Sequence, residues 1–253
     1  MPAPAQVAFT GSYSQDFNSL ATTGTADTWA NNLTLAGWFL YTGGGTAITT
    51  YAAGTGSSST GSFYSFGAAS STDRAFGGVG SGGTYFGSPA SGAVGGYMAV
   101  ALTNTTSDAF SSITISFDGE QWRNGGNTSA QTMVLQYGFG TTFSSVSSWI
   151  EPDGTFNWTS PVTGSTAAAV DGTTAGQVPD VGGTLSVDFE PGDTLWFRWV
   201  ELNDPGNDHG LAIDNLSITT PSETPEPSSI ALAMAGGLFG MMVICRRQAA
   251  RSK

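Results

Sequence analysis

Before residue 221 short runs in which apolar residues alternate recur between Gly, Ser and Thr clusters, and no window shows a helical period. Period two is the signature of strands with two unlike faces, so this part of the chain is expected to be built from strands and turns. Ile113, Ile115 and Phe117 alternate with Thr114 and Ser116, and Leu185, Val187 and Phe189 with Ser186 and Asp188. Met133, Leu135, Tyr137 and Phe139 share one face. Leu195, Phe197 and Trp199 share another, with Trp196, Arg198 and Val200 opposite. Further runs span 33–41, 62–66, 97–102 and 211–218. The sum is about eight to twelve strands, and antiparallel strands of this kind need a second sheet to cover the first. The expected fold is therefore all-β, an antiparallel β-sandwich of jelly-roll type. In the last strand the apolar parity changes between Ile213 and Leu216, which predicts a bulge near Asp214 and Asn215.

Glycine is abundant, at 36 residues, and only 10% of the chain is charged. Such a composition borders on disorder, but an aromatic fraction of 11% supplies the large rings whose burial offsets chain entropy. All 19 acidic residues lie at or before Glu226, against three arginines there: Arg74, Arg123 and Arg198. A body so acidic is a poor partner for a phosphate backbone, so no nucleic-acid partner is expected. The only lysine is Lys253, which removes Schiff-base and lysine–phosphate chemistry from the body of the chain. The single cysteine, Cys245, allows neither an intrachain disulfide nor a cysteine-based zinc site.

The C-terminal segment differs in kind. Pro221, Pro225 and Pro227 rule out helix and inner strand, so 221–229 reads as an extended linker. Ile230 to Cys245 is uncharged, and Arg246 and Arg247 end it. As a helix this run is about 24 Å long, a little short of a ~30 Å hydrocarbon core, and snorkelling arginines make up the difference. The basic end against an acidic body fits the positive-inside rule. A transmembrane helix with a basic stop is thus expected over 230–247, with a cytoplasmic tail over 248–253. Pro225-Glu226-Pro227, the apolar run and the Arg246-Arg247 stop, in that order, resemble the PEP-CTERM sorting signal of exported bacterial proteins. The resemblance implies that Pro225, Glu226 and Pro227 are read by an exosortase-like processing enzyme and that Arg246 and Arg247 fix the cytoplasmic end. It also implies an inner-membrane precursor whose mature domain is periplasmic, at the cell surface or extracellular. Such proteins carry an N-terminal signal peptide. Residues 1–20 have neither its basic nor its apolar region and look like sequence just past a cleavage site, so the true start is expected upstream.

Three segments of the body also resemble an uncharacterised domain of exported bacterial proteins: Gly61 to Gly67 with Asp73 and Arg74, Gly119 to Asn127, and Asn207 to Ile218. The resemblance implies a jelly-roll accessory domain over 5–220 and no activity.

Candidate sites are few. His209, the only histidine, lies in a turn-forming stretch, and no nucleophile elbow accompanies it, so no catalytic residue is expected. The carboxylate pairs Asp118/Glu120 and Glu151/Asp153 adjoin Gly or Pro and read as solvated turns. Asp204, Asp208 and Asp214 belong to an oxygen-rich cluster that suits calcium, the one cofactor the sequence suggests. The alternative for these side chains is capping of turns and the bulge. Glu120, Gln121, Trp122, Arg123 and Asn124 stand out as one cluster. They form either a structural knot, with Glu120 paired to Arg74, Arg123 or Arg198 or with Trp122 stacked on an arginine, or a ligand site with Trp122 against a sugar. The expectation is a non-catalytic exported surface or matrix protein, with exopolysaccharide as a candidate partner. The alternative is a carbohydrate-binding module, and a secreted hydrolase ranks behind both.

Overall fold

The computed structural model describes residues 6–221. Most of the linker, the apolar run over 230–245 and the terminal residues lie outside the described residues. Among those described, no helix is long and apolar enough to cross a membrane.

In chain order the strands are β1 (Val7–Phe9), β2 (Ser12–Gln15), β3 (Asp27–Thr28), β4 (Trp38–Thr42), β5 (Thr50–Gly54), β6 (Ser62–Phe66), β7 (Ala75–Val79), β8 (Val94–Asn104), β9 (Phe110–Asn124), β10 (Thr132–Phe139), β11 (Trp158–Thr159), β12 (Ala168–Ala169), β13 (Gln177–Phe189), β14 (Thr194–Leu202) and β15 (Gly210–Thr219). They form two sheets. The six-stranded sheet runs β1-β8-β14-β10-β11, with β4 also paired to β8. The nine-stranded sheet runs β12-β9-β15-β7-β6-β5-β3, with β13 on β9 and β2 on β15. The fold is an all-β sandwich, as the alternation of apolar residues predicts. Pairing is mostly antiparallel, but β1 runs parallel to β8 and β5 parallel to β6.

Inward residues of both sheets build one aromatic core. Leu195, Phe197 and Trp199 of β14 face Ile113, Ile115 and Phe117 of β9 within it. Trp38 stacks on Trp199 with centroids 5.7 Å apart, and Phe117 meets Trp199 edge-on at 5.6 Å. Such rings bury more surface per residue than aliphatic side chains, which lets a chain so rich in Gly and Ser hold together without disulfides.

The parity change in β15 is a bulge. Its register against β9 shifts between Asp214 and Ser217, and Asn215 takes φ 51°. Asn tolerates this left-handed conformation better than most residues. One strand expectation needs correction. Only Trp38–Thr42 of the 33–41 run is extended; the residues before it turn, and Leu33 is 75% exposed. The Asn32 side chain accepts from the Gly37 amide at 2.6 Å and closes that turn, so local side-chain bonding overrides the apolar pattern.

One glycine carries a testable load. Gly56 sits at φ +78°, and a Cβ there would collide with the Trp122 carbonyl. The Gly56 carbonyl also accepts from Arg123 Nη1 at 3.1 Å. Gly56→Ala is expected to cost roughly 2–4 kcal/mol, left-handed strain and overpacking together, read as a lower urea midpoint with an unchanged slope.

Candidate functional site

The strongest site lies on the outer face of the six-stranded sheet. Register places Phe39 (β4), Ala99 (β8), Arg198 (β14) and Gln136 (β10) in one row across four strands. Tyr41 and Tyr97 lead the next row, opposite Val200. These residues have the parity opposite to the core, so their side chains point away from it. Ala99 and Ala101 are small and leave room over the middle of the face, and Trp196 fills part of it.

The segment after β10 folds back across this face. Ile150 and Tyr137 exchange backbone hydrogen bonds of 2.8 and 2.9 Å, which pins its far end. Thr142 and Ser145 bond each other's amides reciprocally, fixing the short turn that presents Phe143. Phe143 stacks on Tyr41 at 4.2 Å and meets Trp149 at 5.1 Å. Trp196 Nε1 donates to the Gly140 carbonyl at 2.8 Å. The result is a cleft of about 360 Å³ whose walls include Tyr41, Tyr97, Phe143, Trp149 and Arg198, with Gly43, Gly44 and Gly45 at one rim. Tyr41, Tyr97 and Trp149 are each half-buried, leaving ring surface in the open cleft.

Arg198 organises it. Its guanidinium carbon lies 4.0 Å from the Tyr97 ring centre and 3.9 Å from that of Trp149. Nε and Nη2 both donate to Gln136 Oε1, at 2.8 and 2.6 Å. Burial pushes its pKa down to about 10, so it stays cationic at neutral pH. No acidic residue lines the cleft. Flat rings beside a planar donor fork suit a ligand with apolar faces and polar edges.

The cluster at 120–124 lies inside the domain. All five residues lie at the end of β9 and all are buried. Trp122 is 3% exposed and stacks on Phe66 at 6.2 Å, so its ring cannot receive a sugar. The arginine pairings do not form. Glu120 instead accepts from Trp122 Nε1 at 2.8 Å, two residues along the same strand face. Arg74 donates to Ser65 Oγ and to the Ser65 and Gly54 carbonyls, Arg123 to the Gly56 and Ser57 carbonyls. Arg74 is spent on β5 and β6, and Arg123 on the loop between them, which it fixes over this sheet. Gln121 ties Val162 down through both ends of its amide, and Asn124 holds the Gly164 and Thr166 carbonyls.

Glu120 is thus no turn residue, and Asp118 beside it also lies in β9; Glu151 and Asp153 do sit exposed in a loop. The calcium trio falls into two neighbourhoods. Asp208 accepts from the Asp204 amide at 2.7 Å, and both act electrostatically on the buried Glu201. Asp214 instead lies within the field of Glu120, Asp73 and Asp118. Among the described residues no three His, Cys, Asp or Glu side chains are grouped to hold a metal ion. His209 is buried, with Nδ1 3.0 Å from Ser160 Oγ and Nε2 3.4 Å from the Asn127 carbonyl, and Gln131 accepts from its amide. It is a joint between segments, closed to a substrate. Pro225, Glu226, Pro227, Arg246 and Arg247 lie outside the described residues.

Sequence reasoning missed the cleft. The outward parity of Trp196 and Arg198 was its one signal; nothing local marks Tyr97 or Trp149 as their partners.

Several solved structures are similar in fold. A xylan-binding domain from Paenibacillus barcinonensis aligns at a TM-score of 0.35 and 9% identity, covering 85% of this chain and 97% of that one. A cleaved adhesin domain of Lys-gingipain from Porphyromonas gingivalis gives 0.40 and 16%, covering 73% and 93%. A carbohydrate-binding module from Clostridium thermocellum, in complex with a mixed-linked tetrasaccharide, gives 0.30 and 12%, covering 78% and 98%. At such similarity their ligands say nothing of this chain's. No curated protein sequence matches it. Residues 223–248 match the model of the PEP-CTERM protein-sorting motif, in agreement with the order of Pro-Glu-Pro, apolar run and basic stop. The chain is therefore a β-sandwich protein that carries a PEP-CTERM protein-sorting motif at its C-terminal end.

Proposed function

We propose that this is a non-catalytic exported protein whose sandwich domain binds polysaccharide in the aromatic cleft of the six-stranded sheet. The tail supplies the address. An exosortase-like enzyme reads Pro225, Glu226 and Pro227, the apolar run holds the precursor in the inner membrane, and Arg246 and Arg247 fix its cytoplasmic end. The domain then works outside the cytoplasm, where exopolysaccharide is the abundant partner.

One observation carries the binding reading: Tyr41, Tyr97 and Trp149 leave ring surface in an open cleft around a planar cation. Pyranose rings present C–H faces that stack on aromatic rings and hydroxyls that accept from a guanidinium. The buried His209 and the absence of any acid along the cleft wall support a binding role over a hydrolytic one, since glycoside hydrolysis needs two carboxylates flanking the bond.

Trp149→Ala removes one wall of the cleft. It is expected to weaken binding to a responsive polysaccharide by about tenfold or more, and Tyr97→Ala by a similar factor. Affinity electrophoresis of the full-length protein against a polysaccharide panel reads this directly. Retained binding in both variants would move the site elsewhere.

A further inference from the structure

The cleft holds a cation without a counter-ion. Arg198 is 9% exposed, yet its partners are neutral: the Gln136 amide oxygen and the Tyr97 hydroxyl. Gln136 takes two of its five N–H bonds. Tyr97 and Trp149 both lie against it, their ring centres 4.0 and 3.9 Å from its guanidinium carbon, which favours a ligand at its N–H edge. The other two arginines of the domain point their donors at backbone carbonyls, and neither lines this cleft. The chain has 19 acidic residues, and among the described residues none lines this cleft.

Resting on the polysaccharide reading above, we infer that the cleft selects carboxylated sugars, with the uronate carboxylate on the edge of the Arg198 fork and the sugar ring against Tyr97 or Trp149. A carboxylate on a guanidinium edge makes parallel charge-assisted hydrogen bonds, about twice as strong as neutral ones. The domain's overall negative charge opposes a polyanion at long range. That repulsion is screened beyond about 8 Å at physiological ionic strength, whereas a contact pair inside a partly dry cleft is screened much less. The local pair therefore decides specificity, and the distant charge only slows encounter.

The test uses full-length protein in detergent and polygalacturonate, with fully methyl-esterified polygalacturonate and alginate as companions. Esterification keeps the backbone and masks the carboxylate. The free acids are expected to bind at least about tenfold tighter than the ester, and Arg198→Gln to erase that difference. Should Arg198→Gln fail to fold, competition gives the same answer on the unaltered protein. Monomeric galacturonate is expected to displace polygalacturonate at a concentration at least about tenfold lower than its methyl ester needs. Equal binding of acid and ester, with Trp149→Ala abolishing both, overturns carboxylate selection and leaves the polysaccharide reading standing. No binding to these polymers or to any neutral one overturns both.

Discussion

Trp199→Ala is expected to remove about 3–5 kcal/mol of stability, read from the midpoint of urea unfolding. Trp199 is 1% exposed at the centre of β14, between Trp38 and Phe117. Truncation there opens a cavity that strands on both sides cannot close, because β14 is paired to β8 on one flank and β10 on the other. Domains of ordinary stability hold about 5–15 kcal/mol in all, so a third or more of it disappears with one side chain. Trp199→Phe separates cavity from hydrogen bonding. The Trp199 Nε1 is buried without a partner, so the native ring already bears the cost of one unsatisfied donor. Phe returns most of the packing and deletes that donor, so its loss is expected to stay below about 2 kcal/mol. Leu33→Ala, at an exposed turn, is expected within about ±0.5 kcal/mol. If Trp199→Ala cost no more than Leu33→Ala, the placement of the aromatic core between the sheets would be wrong.

The same tryptophan shows what the sequence made legible. Strict alternation of Leu195, Phe197 and Trp199 against Trp196, Arg198 and Val200 assigned the strand and its faces, because side-chain direction in a strand is a local property. The bulge at Asp214–Asn215 was legible for the same reason: a broken parity is visible in the chain itself. What alternation does not encode is which strands meet. Tyr97 and Trp149 are 101 and 49 residues from Arg198 along the chain, and only the fold joins them around it. The cluster at 120–124 misled in the opposite direction. A Trp beside an Arg and a Glu looks like a site, but β9 is an inner strand of its sheet and loops cover the Trp122 face. Val170 donates to the Trp122 carbonyl, and Gly172 has no room for a Cβ against the indole. Strand parity placed Glu120 and Trp122 on one face; burial of that face depends on a loop some fifty residues away.

That covered face sets an unusual pH response. Glu120 is 2% exposed and Asp214 3% exposed, and no arginine bonds either. Burial raises both carboxyls, Glu120 to about 7 and Asp214 to about 8, with the neighbouring acids Asp73 and Asp118 adding to each and Asp171 to Glu120. The hydrogen bonds from Trp122 and from the Asn215 amide oppose the shift without cancelling it. Between about pH 4 and pH 8 the folded protein therefore holds protons that the unfolded chain has released. More protons in the folded state make stability fall as pH rises. The contribution is whole below about pH 4, declines through about pH 7 and 8 as the folded groups ionise, and is flat above. Each tenfold change in acidity is worth about 1.4 kcal/mol, so the pair sets a decline of several kcal/mol, or on the order of 10 °C in Tm for a domain of this size. Most proteins are instead most stable between about pH 5 and 8, because their paired carboxylates are easier to ionise folded than unfolded. Here Arg74 and Arg123 are committed to backbone carbonyls instead. Thermal melts from pH 4.5 to 8.5 on the full-length protein test the direction, and Glu120→Gln with Asp214→Asn is expected to reduce the slope, the remainder belonging to Glu201 and Asp208, which burial also raises. A stability that climbs or stays level across that range would mean the two carboxyls are hydrated, and the loops over β9 open, in solution.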